Sequence, residues 1–330
     1  PRETQENKIH LFMRYNYTKR AFFAWLTLML SFTALGLSAQ TKEISTQEEL
    51  LEALQHPATR VDEIKELHIT EEGIPIDQLV TVNPGTFRMY GGPLYRTEDY
   101  TGYVLDVKEG ATLTIENTLD GKFVANSNPL LNIQYGANVT LRGTLQFNRG
   151  IEHALVVFNA GTFTLNGGLI QGNQGDAYNH VIFNIGNLYL TEGKFVDNQS
   201  QGAVYIEAST TRSVQTYLSP RSVSLSGSDQ NFFVSQGSPL HLTSALGYPL
   251  TIQTYMNNGN VVVTGGNDYT LTQNDIDNIH IVNGQILGQT VKLENGNAVL
   301  TTESEDDGTI KTPEELQEAI EQDIDYGRLF

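Results

Sequence analysis

The chain has no cysteine. That excludes disulfides, a thiolate metal site and a lipid-bearing cysteine behind an export signal, so stability has to come from packing and hydrogen bonding. Basic residues are also scarce, at 20 Lys and Arg against 38 Asp and Glu, for a formal net charge of −18. So acidic a chain is soluble and repels phosphate backbones, which excludes nucleic acid as an expected partner; the ordinary role of such acid is a solvated surface. Long apolar runs are missing except for one, Ala21 to Gly36, which follows the basic stretch Met13 to Arg20 and leads into Leu37, Ser38 and Ala39. A basic start, an apolar centre and a small-residue end describe a secretory signal peptide over 13–39, cut after Ala39. The run is 16 residues and is interrupted by Thr27, Ser31 and Thr33. A membrane span needs about 20 residues, so cleavage is expected rather than anchoring, with no stable span afterwards. Residues 1–12 precede Met13 and read as translated upstream sequence. Without residues 1–39 the chain carries 15 basic and 36 acidic residues, a net charge of −21. The expected location is secreted or on the cell surface.

What is present is a repeat. Ala-Thr-Leu-Thr-Ile at 111–115 returns as Ala-Asn-Val-Thr-Leu at 137–141, Gly-Thr-Phe-Thr-Leu at 161–165 and Gly-Asn-Leu-Tyr-Leu at 186–190, in steps of 26, 24 and 25 residues. A period in this range marks a solenoid, whose repeats bury their apolar faces only by stacking on one another. The alternation of apolar and polar residues makes each repeat a set of strands. One inward row is expected at Leu113, Val139, Phe163 and Leu188, continued by Ile115, Leu141, Leu165 and Leu190. A preceding strand supplies Val107, Ile133, Val157 and Ile182, and a following one Phe123, Leu145, Ile170 and Phe195. Three short strands per coil of about 25 residues describe a parallel β-helix. The period breaks after 202, where 207–219 reads as an insertion and Arg221 to Leu225 as the next aligned phrase; 269–276 is expected to hold a short helical turn.

The array has a start signal. Thr46 with Glu49 three residues on is a capping box, and Leu50, Ala53 and Leu54 form one apolar stripe, so a short amphipathic helix is expected to cap the first coil. The phrase returns at Thr312, with Glu314, Glu315, Leu316, Glu318 and Ala319 matching Glu48, Glu49, Leu50, Glu52 and Ala53, and Pro313 at the first helical position. The domain reading is one β-helix unit over 44–302, an acidic linker over 303–311 and the start of a second unit over 312–330. A monomeric unit of a longer tandem-domain chain is expected.

Asn148, Asn173 and Asn198 stand 25 residues apart, each three residues after an inward apolar position, and Asn126 bears the same relation to Phe123. Equal spacing at a turn reads as an asparagine ladder, whose amides satisfy the backbone and each other, rather than as a row of ligands. With this ladder, the coil Gly161-Thr-Phe-Thr-Leu-Asn-Gly-Gly-Leu-Ile-Gln-Gly-Asn173 resembles right-handed parallel β-helix proteins of the pectin-lyase-like class, above all the bacterial surface and adhesin-like members. The resemblance covers about 100 to 300. It implies an all-β, right-handed parallel β-helix, and it is poor on activity, because the same fold carries lyases, hydrolases, adhesins and spacers.

Family hydrolases of polygalacturonides carry clustered aspartates, a His-Gly and an Arg-Ile-Lys; neither phrase occurs here, and the only Asp-Asp, Asp306-Asp307, lies in the acidic linker. Pectate-type lyases hold calcium on several carboxylates beside a basic residue, whereas here Asp106, Glu116, Asp120, Glu152, Asp176, Glu192 and Asp197 are scattered. Asp176 with His180 is the one pair suited to acid–base chemistry, and a turn aspartate followed by a strand-end histidine is also ordinary. His153 and His180 have no metal-ligand spacing. No cofactor, metal or catalytic residue is assigned. Tyr178, Tyr205 and Tyr217 are candidate glycan contacts, since a ring face matches the apolar face of a pyranose; exposed tyrosines without function are common too. The expectation is a non-enzymatic surface module for adhesion or spacing, with glycans or cell-surface proteins as partners. The alternative is a polysaccharide lyase or glycosidase.

Overall fold

Strand phrases that cannot bury themselves stack into one parallel β-solenoid. The computed structural model describes residues 41–56, 63–150, 154–176, 178–282 and 286–302. The expected signal segment, linker and restart at Thr312, together with Glu152 and His153, lie outside these residues. Strands form two sheets, of 17 and nine strands, and the nine-stranded sheet takes one strand from each coil. A regular coil runs through three faces: a first strand such as Asn138–Leu141, a second such as Thr144–Gln146 and a third such as Ala154–Asn159. In two coils the first and second strands fuse into one ten-residue strand, Thr162–Gln171 and Asn187–Val196.

Register between coils follows the inward alternation. Leu113, Val139, Phe163 and Leu188 are direct partners from coil to coil, and all are essentially excluded from solvent. Stacked strands bury rows of inward side chains on each face along the solenoid, so each apolar residue is covered by the coils above and below it. The core is therefore a single axial column, from Ile44 and Leu50 at one end to Ala298 and Leu300 at the other.

Two expected rows and the bounds of the insertion are displaced. Val157 and Ile182 pair in line with Leu131 and Leu105, while the partners of Ile133 are Asn159 and, beyond it, Asn184. Slipping by two residues preserves the in–out alternation, so the pattern alone does not reveal it. Phe123 is not inward: it is 41% exposed with φ 55°, its ring against Phe147. Leu119 holds that place, in register with Leu145, Ile170 and Phe195. The insertion is also shorter than 207–219. Gln215–Leu218 is already the next first-face strand, and the phrase at 221–225 supplies the second face, with Val223 opposite Gly193. Thr216 takes the inward position opposite Leu188 and is fully buried, which hid the strand from an apolar count.

Both ends are closed. The helix α1 (Gln47–Gln55) begins in a capping box, with the Glu49 N–H donating to Thr46 Oγ1 at 3.2 Å and the Thr46 N–H donating to the Glu49 carboxylate at 3.3 Å. It lays Leu50 and Leu54, both fully buried, over the open end of the core. The Gln47 amide ties the helix to the coil, donating to Gln78 O at 3.1 Å and accepting from the Asp77 N–H at 3.2 Å. At the far end the short helix α2 (Gln273–Asp277) precedes the last parallel strand, Ile279–Val282. The hairpin of Gln289–Glu294 and Asn297–Thr302 then folds back antiparallel on Val261–Gly265. Its outermost strand carries Lys292 and Glu294, charges that discourage edge-to-edge pairing. Among the described residues no helix is long and apolar enough to cross a membrane.

Candidate binding surfaces

At the corner leaving the second face, the residue before each asparagine is left-handed: Phe147 at φ 55°, Gly172 at 62° and Asp197 at 54°. The turn strands backbone donors that the following side chain serves. Asn148, Asn173 and Asn198 are all buried there. The Asn148 N–H donates to Asn173 Oδ1 at 2.9 Å, Asn173 Nδ2 donates to Asn198 Oδ1 at 2.8 Å, and Asn198 Nδ2 donates to the Ile170 carbonyl at 3.0 Å. Asn126 does not join this row. It is exposed with φ 59°, and the fully buried Ser127 bridges to Gly150 instead. The longer corner at 121–130 shifts that asparagine out of line.

The row ends in two ionisable groups that no periodicity announces. Arg96, 1% exposed, donates through Nη1 to Asn148 Oδ1, and through Nη2 to the carbonyls of Gly102 at 2.7 Å and Asn128 at 3.0 Å. At the other end the fully buried Asp229 accepts from Asn198 Nδ2 at 3.0 Å. The bonds from one member of the row to the next therefore share one direction, from Arg96 through Asn148, Asn173 and Asn198 to Asp229, with the Asn148 step made by its backbone N–H. Burial lowers the Arg96 guanidinium to about 10, a fall that the neighbouring Tyr100 opposes. Burial raises the Asp229 carboxyl to about 7, with Asn198 opposing and Asp197 adding to the rise. A second buried row, missed in the sequence because its third member is a threonine, runs from Asn159 Nδ2 to Asn184 Oδ1 at 2.7 Å and from Asn184 Nδ2 to Thr216 Oγ1 at 2.9 Å.

The outer faces carry stacked rows as well. Phe158, Phe183, Tyr205 and Phe233 are in direct register on the third face, with successive ring centroids 5.6, 5.0 and 4.2 Å apart and near-parallel planes. On the first face Tyr217 lies between Tyr189 at 5.2 Å and His241 at 4.7 Å. The expected glycan stacking on Tyr205 and Tyr217 thus meets a geometric obstacle: both faces of each ring are covered by neighbours, leaving ring edges for a ligand. Tyr178 is the one of the three with an open ring, at 76% exposure.

Several groups suited to acid–base or metal chemistry are engaged locally, while Glu192 and Asp197 are exposed. Asp176 accepts the Tyr178 N–H at 2.9 Å and shapes its own turn. His180 is 1% exposed, edge-on to Tyr205 at 5.3 Å and Phe233 at 6.4 Å, which puts its ring under the aromatic row. Asp106 accepts from Asn132 at 2.8 Å and pairs with Lys108. Asp120 accepts from Gln146 at 3.1 Å, and Gln146 accepts from Gln171 at 2.9 Å. Glu116 is held between Arg88 at 2.8 Å and Arg142 at 3.4 Å, which keeps its carboxyl below the usual range. Among the described residues no three His, Asp or Glu side chains gather as a metal cluster.

At the corner between the third and first faces, a groove of about 210 Å³ lies between Tyr135 and the loop bearing Arg212. The Arg212 guanidinium carbon sits 3.8 Å from the centroid of the Tyr135 ring. Gly161 and Gly186 form the floor, and no side chain fits there: a Cβ on Gly186 would meet Gly161 O at 2.2 Å. Nothing in the sequence links Tyr135 with Arg212, which only the stacking of successive coils brings together. The chain matches no protein-family model, no curated protein and no solved structure.

Proposed function

We propose that this chain is a non-catalytic, rigid module of an exported surface protein, akin to the pectin-lyase-like β-helix proteins of bacterial surfaces, that holds a binding surface away from its point of attachment. One observation carries the reading: the buried and half-buried side chains with catalytic potential are spent on their neighbours. Asp106, Glu116 and Asp120 each face cations or amides, and His180 lies beneath aromatic rings. A general acid or base has to reach substrate, and a calcium-assisted lyase needs converging carboxylates. The export signal at 13–39 and the high negative charge agree with life outside the cell, and the repeat architecture agrees with a spacer.

The test is depolymerisation. The purified chain is expected to release no product from polygalacturonate, with or without calcium, or from neutral glycans. Product formation abolished by Asp176→Asn would overturn the proposal and make the 174–180 turn an active site.

A further inference from the structure

The groove beneath Arg212 has the chemistry of a small anion site. An arginine laid on an aromatic ring is held by the ring face, so its planar fork is ordered before any ligand arrives. Arg212 has no carboxylate partner among the described residues, in a chain with 38 acidic residues, so its N–H edges are open to an acceptor. Thr162, Asn187 and Ser213 line the same groove, offering hydroxyl and amide groups beside the cation. At about 210 Å³ the space is smaller than the roughly 300–1,000 Å³ of drug-sized sites, which suits a single ring.

We propose that this groove binds the carboxylate of one acidic sugar, at the end of a glycan chain. The carboxylate takes the Arg212 fork in two parallel hydrogen bonds, and the ring hydroxyls meet Thr162, Asn187 and Ser213. A terminal residue fits better than the interior of a polyuronate, because the net charge of −18 repels a polyanion while a single carboxylate meets mainly the local cation. The site rests on the display reading only in that nothing in it cleaves. Its test reads binding, whereas the depolymerisation assay reads chemistry, so either reading can fail alone.

The experiment is an amide NMR titration of the chain with glucuronate, glucose and acetate at fixed ionic strength. Glucuronate is expected to give saturable shifts at Gly161, Gly186 and Ser213, with glucose and acetate at least about tenfold weaker, since each lacks half of the recognised groups. Arg212→Ala is expected to weaken glucuronate by about tenfold or more, and Tyr135→Leu by less. Arg212→Lys keeps the charge, loses the fork and is expected to fall between wild type and Arg212→Ala. The surrounding spectrum reports whether each variant stays folded. Equal binding of acetate and glucuronate overturns the sugar assignment, and unchanged binding by Arg212→Ala overturns the site. No saturation by about 100 mM glucuronate overturns the proposal outright.

Discussion

A buried carboxyl closes the asparagine row. The Asp229 carboxyl is raised from 3.8 to about 7, chiefly by burial, so the folded chain retains a proton that the unfolded chain releases. The sign follows from that difference. The stabilising contribution is complete below the unfolded value, and it declines as pH rises toward and through about 7. Asp229→Asn keeps an acceptor for Asn198 and cannot ionise. It is expected to match wild type near pH 4 and to exceed it at pH 8 by up to about 4 kcal/mol. Urea midpoints across this range check it, and parallel curves for the two proteins would sink the assignment. Arg96 at the opposite end stays charged throughout, so it sets the direction of the row without adding a slope.

At the scale of elements, rows running across coils matter as much as strands within them. Asn173 is the central member of its row: its Oδ1 accepts from Asn148, and its Nδ2 donates to Asn198. Asn173→Ala removes both bonds and strands a buried backbone donor at Asn148. We expect a loss of about 1–3 kcal/mol, read as a lowered urea midpoint. An unchanged midpoint would mean that the row contributes nothing. The aromatic rows act differently. Stacked rings on neighbouring coils stiffen the outer faces, and the same stacking closes the ring faces to a sugar.

For the whole molecule, both ends of the described solenoid are covered. The helix α1 covers the first coil, and the terminal hairpin lays an antiparallel strand on the last first-face strand. A fragment of residues 40–310 is therefore expected to fold alone and unfold in one cooperative transition, measured by circular dichroism and calorimetry. Failure of this fragment to fold unless 311–330 are restored would place the domain boundary further on.

The sequence by itself determined the coil, because its causes are local. Period-two alternation at 111–115 and its successors makes the strands, and Thr46 with Glu49 starts α1 within a single turn. The asparagines at 148, 173 and 198 were visible for the same reason, being equally spaced at one corner. Tertiary structure decided the rest. The corners at 121–130 and 207–214 differ in length from their neighbours, and corner length sets which residue meets which on the next coil. A slip of two or four residues leaves the alternation intact, so Asn159 in place of Val157, and Leu119 in place of Phe123, emerge only from the register. The same stacking seats Arg212 on Tyr135 across two intervening corners, a contact that no spacing in the chain encodes.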